Sequence, residues 1–318
     1  MTTPPTPPTP QIPTTPTPQT PPAAPAPYQQ IPPQAPHQAP QRPSGLHTGP
    51  VSGYVSPIPA RGTHLGDALA SEWTKLRSVR STMWTLGVMI VLMVGIGLLA
   101  AVIVATANAQ VADAESVLAL GFFGVLLGTL CVITLGVMTI ASEYSTGMIR
   151  TTLTACPSRV RVLAAKAIVF FVLVFVITAL TTMIVGALQT SIVDTASPDP
   201  ESWFRATVGI SLYLATLGLL SMAVGALIRH SAGAITVMIG VVLLPLVLAM
   251  FMFAESLNGL RDSLFEYSIP NQLSVFYTDS AGIASPTGPS GWEPLWILLA
   301  VTAVAMAGAC FALDRRDV

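Results

Sequence analysis

The chain has 318 residues, of which 52% are hydrophobic and 9% charged, with a formal net charge of −1. A soluble domain carries about 25% charged residues, so an ordinary soluble fold is excluded. So is a nucleic-acid partner, because no basic face is large enough to neutralise many phosphates. Cysteine is scarce: Cys131 and Cys310 lie in apolar stretches and Cys156 in a segment assigned below to the inside, so no disulfide is implied.

Residues 1–60 hold 20 of the 28 prolines, interleaved with Thr, Gln and Ala. Proline fixes φ and removes donors, and too little apolar surface is present to offset the ordering of the chain. Residues 1–62 are therefore expected to form a disordered, polyproline-like tail. Its Thr-Pro and Pro-Pro repeats suit phosphorylation or a proline-binding module; a solvated tail without a partner is the plainer reading. Residues 63–318 form the second unit.

A membrane span needs roughly 20 apolar residues to cross a hydrocarbon core about 30 Å thick. Six stretches qualify: Met83–Thr106, Leu118–Ala141, Ile168–Gln189, Ala206–Leu227, Ala232–Phe253 and Leu295–Leu313. The first begins near residue 84, too far along and too long for a signal peptide, and should persist as a span. Charge fixes the expected orientation. Twelve of 14 Lys/Arg residues fall on one side and ten of 15 Asp/Glu residues on the other. Lys75, Arg77 and Arg80 precede the first span; Arg150, Arg159, Arg161 and Lys166 lie between the second and third; Arg229 and His230 join the fourth and fifth; Arg315 and Arg316 follow the sixth. Arg205 and Arg261 are the exceptions. By the positive-inside rule both termini are inside, and an odd number of spans would break the alternation. The expected location is the plasma membrane.

The span interiors contain no Lys, Arg, Asp or Glu, so the midplane ionisable group of an ion-coupled transporter is missing. Gly95, Gly97, Ala101, Gly225 and Gly233 are candidates for close helix packing, and Pro245 for a kink in the fifth span.

Three further segments are patterned. Leu65, Leu69, Trp73 and Leu76 recur at helical spacing over 65–79, which predicts an amphipathic helix along the inner leaflet. Ser142–Lys166 is too polar to span. Pro157 should divide it into two short helices, which either form a knob for a cytoplasmic partner or are a loop that only obeys the inside charge bias. Glu255–Glu293 is unusually apolar for an outer loop and predicts a short helix or a re-entrant hairpin, with a mobile stretch at 281–291 and Trp292 as an interface anchor.

Catalytic signatures are missing. Neither Lys75 nor Lys166 follows a Gly-rich loop, the four histidines form no HExxH, and neither GxSxG nor CxxC occurs. The chain is expected to be neither an enzyme nor a metal or cofactor binder.

Two stretches carry a resemblance. Ser71-Glu-Trp-Thr-Lys-Leu-Arg-Ser-Val-Arg-Ser-Thr resembles the opening of many actinobacterial permeases of the ABC-2 type. Glu143-Tyr-Ser-Thr-Gly-Met-Ile-Arg-Thr-Thr-Leu-Thr-Ala-Cys-Pro-Ser-Arg resembles that family's E…G…R…P…R segment after the second span. With six spans the likeness covers about residues 65–318. It implies an all-α membrane fold of six transmembrane helices, an N-terminal elbow helix (Glu72, Trp73, Lys75, Arg77), a cytoplasmic coupling helix (Glu143, Gly147, Arg150, Pro157, Arg159) and outer re-entrant helices. It implies a separate ABC ATPase that binds ATP and Mg, and pairing with a second permease as homodimer or heterodimer in the lipid bilayer. In those roles Glu143 caps or pairs with an arginine, Gly147 admits close backbone approach, and Arg150 and Arg159 offer forked donors. The expected function is efflux of an amphiphilic or apolar cargo, with hydroxyls such as Thr106, Thr178, Thr181, Thr182 and Thr216 available to it. A non-transporting anchor or regulatory protein for a cytoplasmic partner is the alternative.

Overall fold

The computed structural model describes residues 64–107, 114–148, 158–194, 198–277 and 288–315. The Pro-rich tail, the first of the two short helices expected around Pro157, and most of the 281–291 stretch lie outside the described residues.

Helix α1 (Leu65–Ser78) starts at His64, whose backbone N–H donates to the Asp67 carboxylate at 3.1 Å. An acid in its first turn and Lys75 and Arg77 in its last complement the helix dipole. One extended residue, Val79, separates it from α2 (Arg80–Thr106). There follow α3 (Ala114–Ala119), α4 (Phe122–Ser145), α5 (Arg159–Val193), α6 (Pro200–Phe204), a π-helical turn at Arg205–Gly209, α7 (Ile210–Ile228) and α8 (Ser231–Phe251). A 3₁₀ turn (Glu255–Leu257), α9 (Asn258–Glu266), α10 (Ile269–Ser274) and α11 (Glu293–Arg315) complete the described elements.

Six of these segments are long and apolar enough to cross a membrane: Arg80–Thr106, Val117–Ser145, Val160–Val193, Pro200–Ile228, Ser231–Phe251 and Glu293–Leu313. The chain is a multi-pass membrane protein. Each apolar stretch expected from the sequence falls on one of them; five of the helices outrun their apolar runs, while the fifth stops at Phe251, short of the expected Phe253. The short helix expected after Pro157 is not a separate element; its residues form the first turns of the 35-residue α5, because nothing between Arg159 and Lys166 breaks a helix.

The fourth span is the core of the bundle. Its most apolar window is 78% buried, against 17% for the sixth span and 22% for the first and fifth. Helix α7 packs against α4, α5, α8 and α11, while the outer helices turn Trp84, Val91, Leu180, Phe251 and Val304 outward. In a bilayer those faces meet lipid tails.

Backbone proximity explains the tightest crossing. A Cβ built on Gly136 of α4 would lie 2.4 Å from the carbonyl oxygen of Gly218 on α7, and one on Gly218 would lie 2.6 Å from the Phe170 ring. Only hydrogen fits at both positions, so α4 and α7 approach almost backbone to backbone. Among the small residues expected to pack closely, Gly97, Ala101 and Gly225 do so, whereas a Cβ on Gly95 would meet nothing within 4 Å and Gly233 touches only its own turn. Helix α8 runs unbroken through Pro245.

At the end of the bundle away from α1, the chain after α9 folds inward, and residues 269–277 are all buried. Gln272 accepts a hydrogen bond from the Tyr213 hydroxyl at 3.1 Å. Trp292 does not stand alone as an interface anchor. Its ring lies 6.0 Å from Phe276 and 5.9 Å from Phe204, in a run of aromatic contacts that continues to Tyr213. Edge-to-face rings at such distances add packing energy beyond area burial.

Candidate functional site

Both lysines of the chain and two of its glutamates meet at one point. Glu72 and Lys75 come from α1, Glu143 from the last turn of α4 and Lys166 from the second turn of α5. The Lys166 ammonium donates to Glu72 Oε2 at 2.5 Å and to Glu143 Oε1 at 2.9 Å. The Lys75 ammonium donates to Glu72 Oε1 at 2.7 Å and to Glu143 Oε1 at 3.1 Å. Three elements separated by up to 94 residues are thus tied by four charge-assisted hydrogen bonds. Glu72, Glu143 and Lys166 are buried at 2%, 6% and 3% exposure, whereas the Lys75 side chain keeps 29%.

The charges of the four groups balance, which is what allows them to be buried. Burial alone would raise the Glu72 carboxyl, but Lys166 and then Lys75 outweigh it and hold the group below its ordinary value of 4.5. Burial alone would lower Lys75, but Glu72 and Glu143 outweigh it and hold the ammonium above its ordinary 10.5. A depressed acid stabilises the fold above its unfolded pKa and stops doing so as pH falls through the folded value; a raised base does so below its unfolded pKa, until pH rises through the folded one. The difference in thermal midpoint between wild type and Glu72→Gln should therefore be constant above pH 4.5 and shrink below it. The difference for Lys75→Gln should be constant below 10.5 and shrink above it. A difference that widens in acid would contradict the pairing of Glu72.

The cluster recasts several residues of the two family-like stretches. Glu143 pairs with lysines and not with an arginine, and its carboxylate faces the interior. Glu72 and Lys75 also bond inward. Trp73, at 48% exposure, and Arg77 lie on the open side of α1. The apolar face expected on this helix is thereby divided: Leu76 is buried, Leu69 half-buried, and Leu65 and Trp73 exposed. Gly147 is exposed, and no described residue of the chain comes within 4 Å of a built Cβ. Its φ of +71° is the reason for glycine: it turns the chain away just past α4, the usual left-handed helix stop. Arg150 and Pro157 lie outside the described residues, as does the side chain of Arg159.

Lys166 is the member that the two stretches did not contain. Its sequence signal is slight: one of only two lysines, placed at the start of an apolar run, where a charge needs a partner. Arg229 caps the α7–α8 turn in a left-handed conformation, with its guanidinium 5.0 Å from the ring centre of Tyr144, the residue after Glu143. The hydroxyls of Thr178, Thr181, Thr182 and Thr216 each donate to a carbonyl of their own helix.

Among the described residues no group of three or more His, Cys, Asp or Glu side chains could hold a metal ion. No curated protein matches the chain. A family model described as ABC-2 family transporter protein matches residues 68–254, more than half of the sequence and all four members of the cluster. The chain belongs to the ABC-2 family of membrane transporters, as a permease that is not itself catalytic.

Proposed function

We propose that the chain is the membrane-spanning subunit of an ATP-driven exporter, working beside a second permease and powered in trans by a separate ATPase that binds ATP and Mg. Both termini lie inside, in the plasma membrane, as the charge alternation requires. The observation that carries the reading is the ionic cluster, because it joins the three elements through which force from a cytoplasmic motor would enter the spans. Ser142–Lys166 is the coupling segment, with Gly147, Arg150, Pro157 and Arg159 among its contact residues. Glu143 works from behind, as the anchor that ties the root of this segment to α1 and α5. Helix α1 is the elbow, with Trp73 at headgroup depth and Arg77 free for inner-leaflet phosphates or partner carboxylates. The buried return of residues 269–277 suits a re-entrant cap on the exit path. The Pro-rich tail is dispensable for insertion and basic transport. The cargo is amphiphilic, since no charge lies at the middle of any span.

Affinity purification of the full chain in mild detergent tests this. A stoichiometric ATPase with a Walker-A sequence should come with the wild type. Gly147→Asn, which tolerates positive φ, should retain it, and Gly147→Trp should lose it at equal membrane insertion. If no ATPase appears under conditions that preserve a known permease–ATPase complex, the weight moves to a membrane anchor for some other cytoplasmic partner.

A further inference from the structure

A cavity of about 500 Å³ opens between α1, α2 and α4, directly beside the ionic cluster. Its size lies within the range of about 300–1,000 Å³ usual for small-molecule sites. Leu76, Leu135 and Met138 give it apolar walls, while Ser78, Ser81 and Thr146 stand exposed at its mouth.

Much of the polar lining has its donors occupied. Thr85, Thr134, Thr139 and Ser142 each donate their hydroxyl proton to the carbonyl one turn earlier in their own helix, at 2.6–2.9 Å. What they leave over is acceptor lone pairs. Glu143 also lines the cavity, and its Oε2 is buried with no hydrogen-bond partner, although Oε1 takes both lysines. Both lysine ammoniums are engaged by carboxylates. Thr85 and the α4 wall therefore offer acceptors, while the hydroxyls of Ser81 and Thr82 on α2 can still donate.

We propose that this cavity binds an uncharged amphiphile whose head group donates hydrogen bonds, such as a hydroxylated or amide-bearing head on an apolar body. An anion would sit beside the Glu143 carboxylate and the hydroxyl lone pairs of the α4 wall. A cation would add a third positive charge beside Lys75 and Lys166, in a cluster already balanced. The inference rests on the exporter reading for its meaning as a cargo or regulatory site, but the site itself requires no ATPase.

The test uses the full chain in phosphatidylcholine nanodiscs without ATPase. Three photoactivatable probes of equal alkyl length are compared: an alkyl glucoside, an alkyl trimethylammonium and an alkyl sulfate. Labelled peptides are mapped by mass spectrometry, with excess unlabelled probe as competitor. The glucoside should label peptides spanning 78–85 and 134–148 in a competed manner, well above the other two. Thr139→Val with Ser142→Ala removes two acceptors at nearly constant shape and should weaken labelling roughly tenfold, with an unchanged thermal midpoint. Labelling spread evenly over the lipid-facing sides of α2, α5, α8 and α11 would overturn the site, as would indifference to the double substitution. Stronger competed labelling by the ammonium or the sulfate would overturn the uncharged class. Because binding is read without the motor, its failure is separable from failure of the exporter reading.

Discussion

Lys166→Met should lower the stability of the folded chain by about 3–5 kcal/mol, the cost typical of breaking a buried ion pair from one side. The substitution leaves Glu72 and Glu143 facing each other with only Lys75 between them, and that side chain is the most exposed of the four. Methionine fills similar volume, so the loss is electrostatic rather than a cavity. The midpoint of thermal aggregation in detergent reads the effect. Lys166→Met combined with Glu72→Met removes one charge of each sign and should recover a large share of the loss, giving a coupling energy well above 1 kcal/mol in a double-mutant cycle. Additive losses would mean that the two groups do not interact. If the cluster also transmits force, the double variant should fold yet transport poorly, because α1 is then tied to α5 by packing alone.

Gly136→Ala should destabilise the bundle by about 1–3 kcal/mol or more, as overpacking at a rigid contact does. Its new methyl would fall 2.4 Å from a backbone carbonyl oxygen on α7, and a carbonyl held in a helix cannot rotate away. Helices α4 and α7 must separate, and α7 is the one helix that touches four other spans. Gly95→Ala is the matched control. It lies in α2 with open space where the methyl would go, and alanine is the better helix former, so its effect should stay within about 1 kcal/mol and on the stabilising side. Thermal midpoints of the two variants in the same detergent compare them directly. Equal effects would mean that α4 and α7 are less closely apposed than their glycines indicate.

The sequence made the spans legible, because six apolar runs of membrane-crossing length admit few other readings. It also made α1 legible through the spacing of Leu65, Leu69, Trp73 and Leu76. What it could not convey was which side of α1 faces inward. The apolar stripe suggested Trp73 and Leu76 together, yet the buried pair is Glu72 and Leu76, since Glu72 has a lysine to meet. The coupling-like stretch pointed to Glu143 by resemblance alone. Its partners sit 68 and 23 residues away, and no local pattern encodes contacts of that separation. Glycine counts carried as little: Gly95 and Gly136 look alike in sequence, and only the crossing of two helices distinguishes them.

Helix α5 has the proportions of a lever. Its 35 residues extend about 52 Å at 1.5 Å per residue, against a hydrocarbon core about 30 Å thick. Lys166 pins it about 10 Å from its start and about 40 Å from its end. A rigid rod pivoting at that pin has arms in a ratio of roughly one to four, so a push of about 1 Å at Arg159 would swing Val193 by about 4 Å. A small stroke delivered at one surface would emerge amplified at the other, with the salt-bridged lysine as its fulcrum.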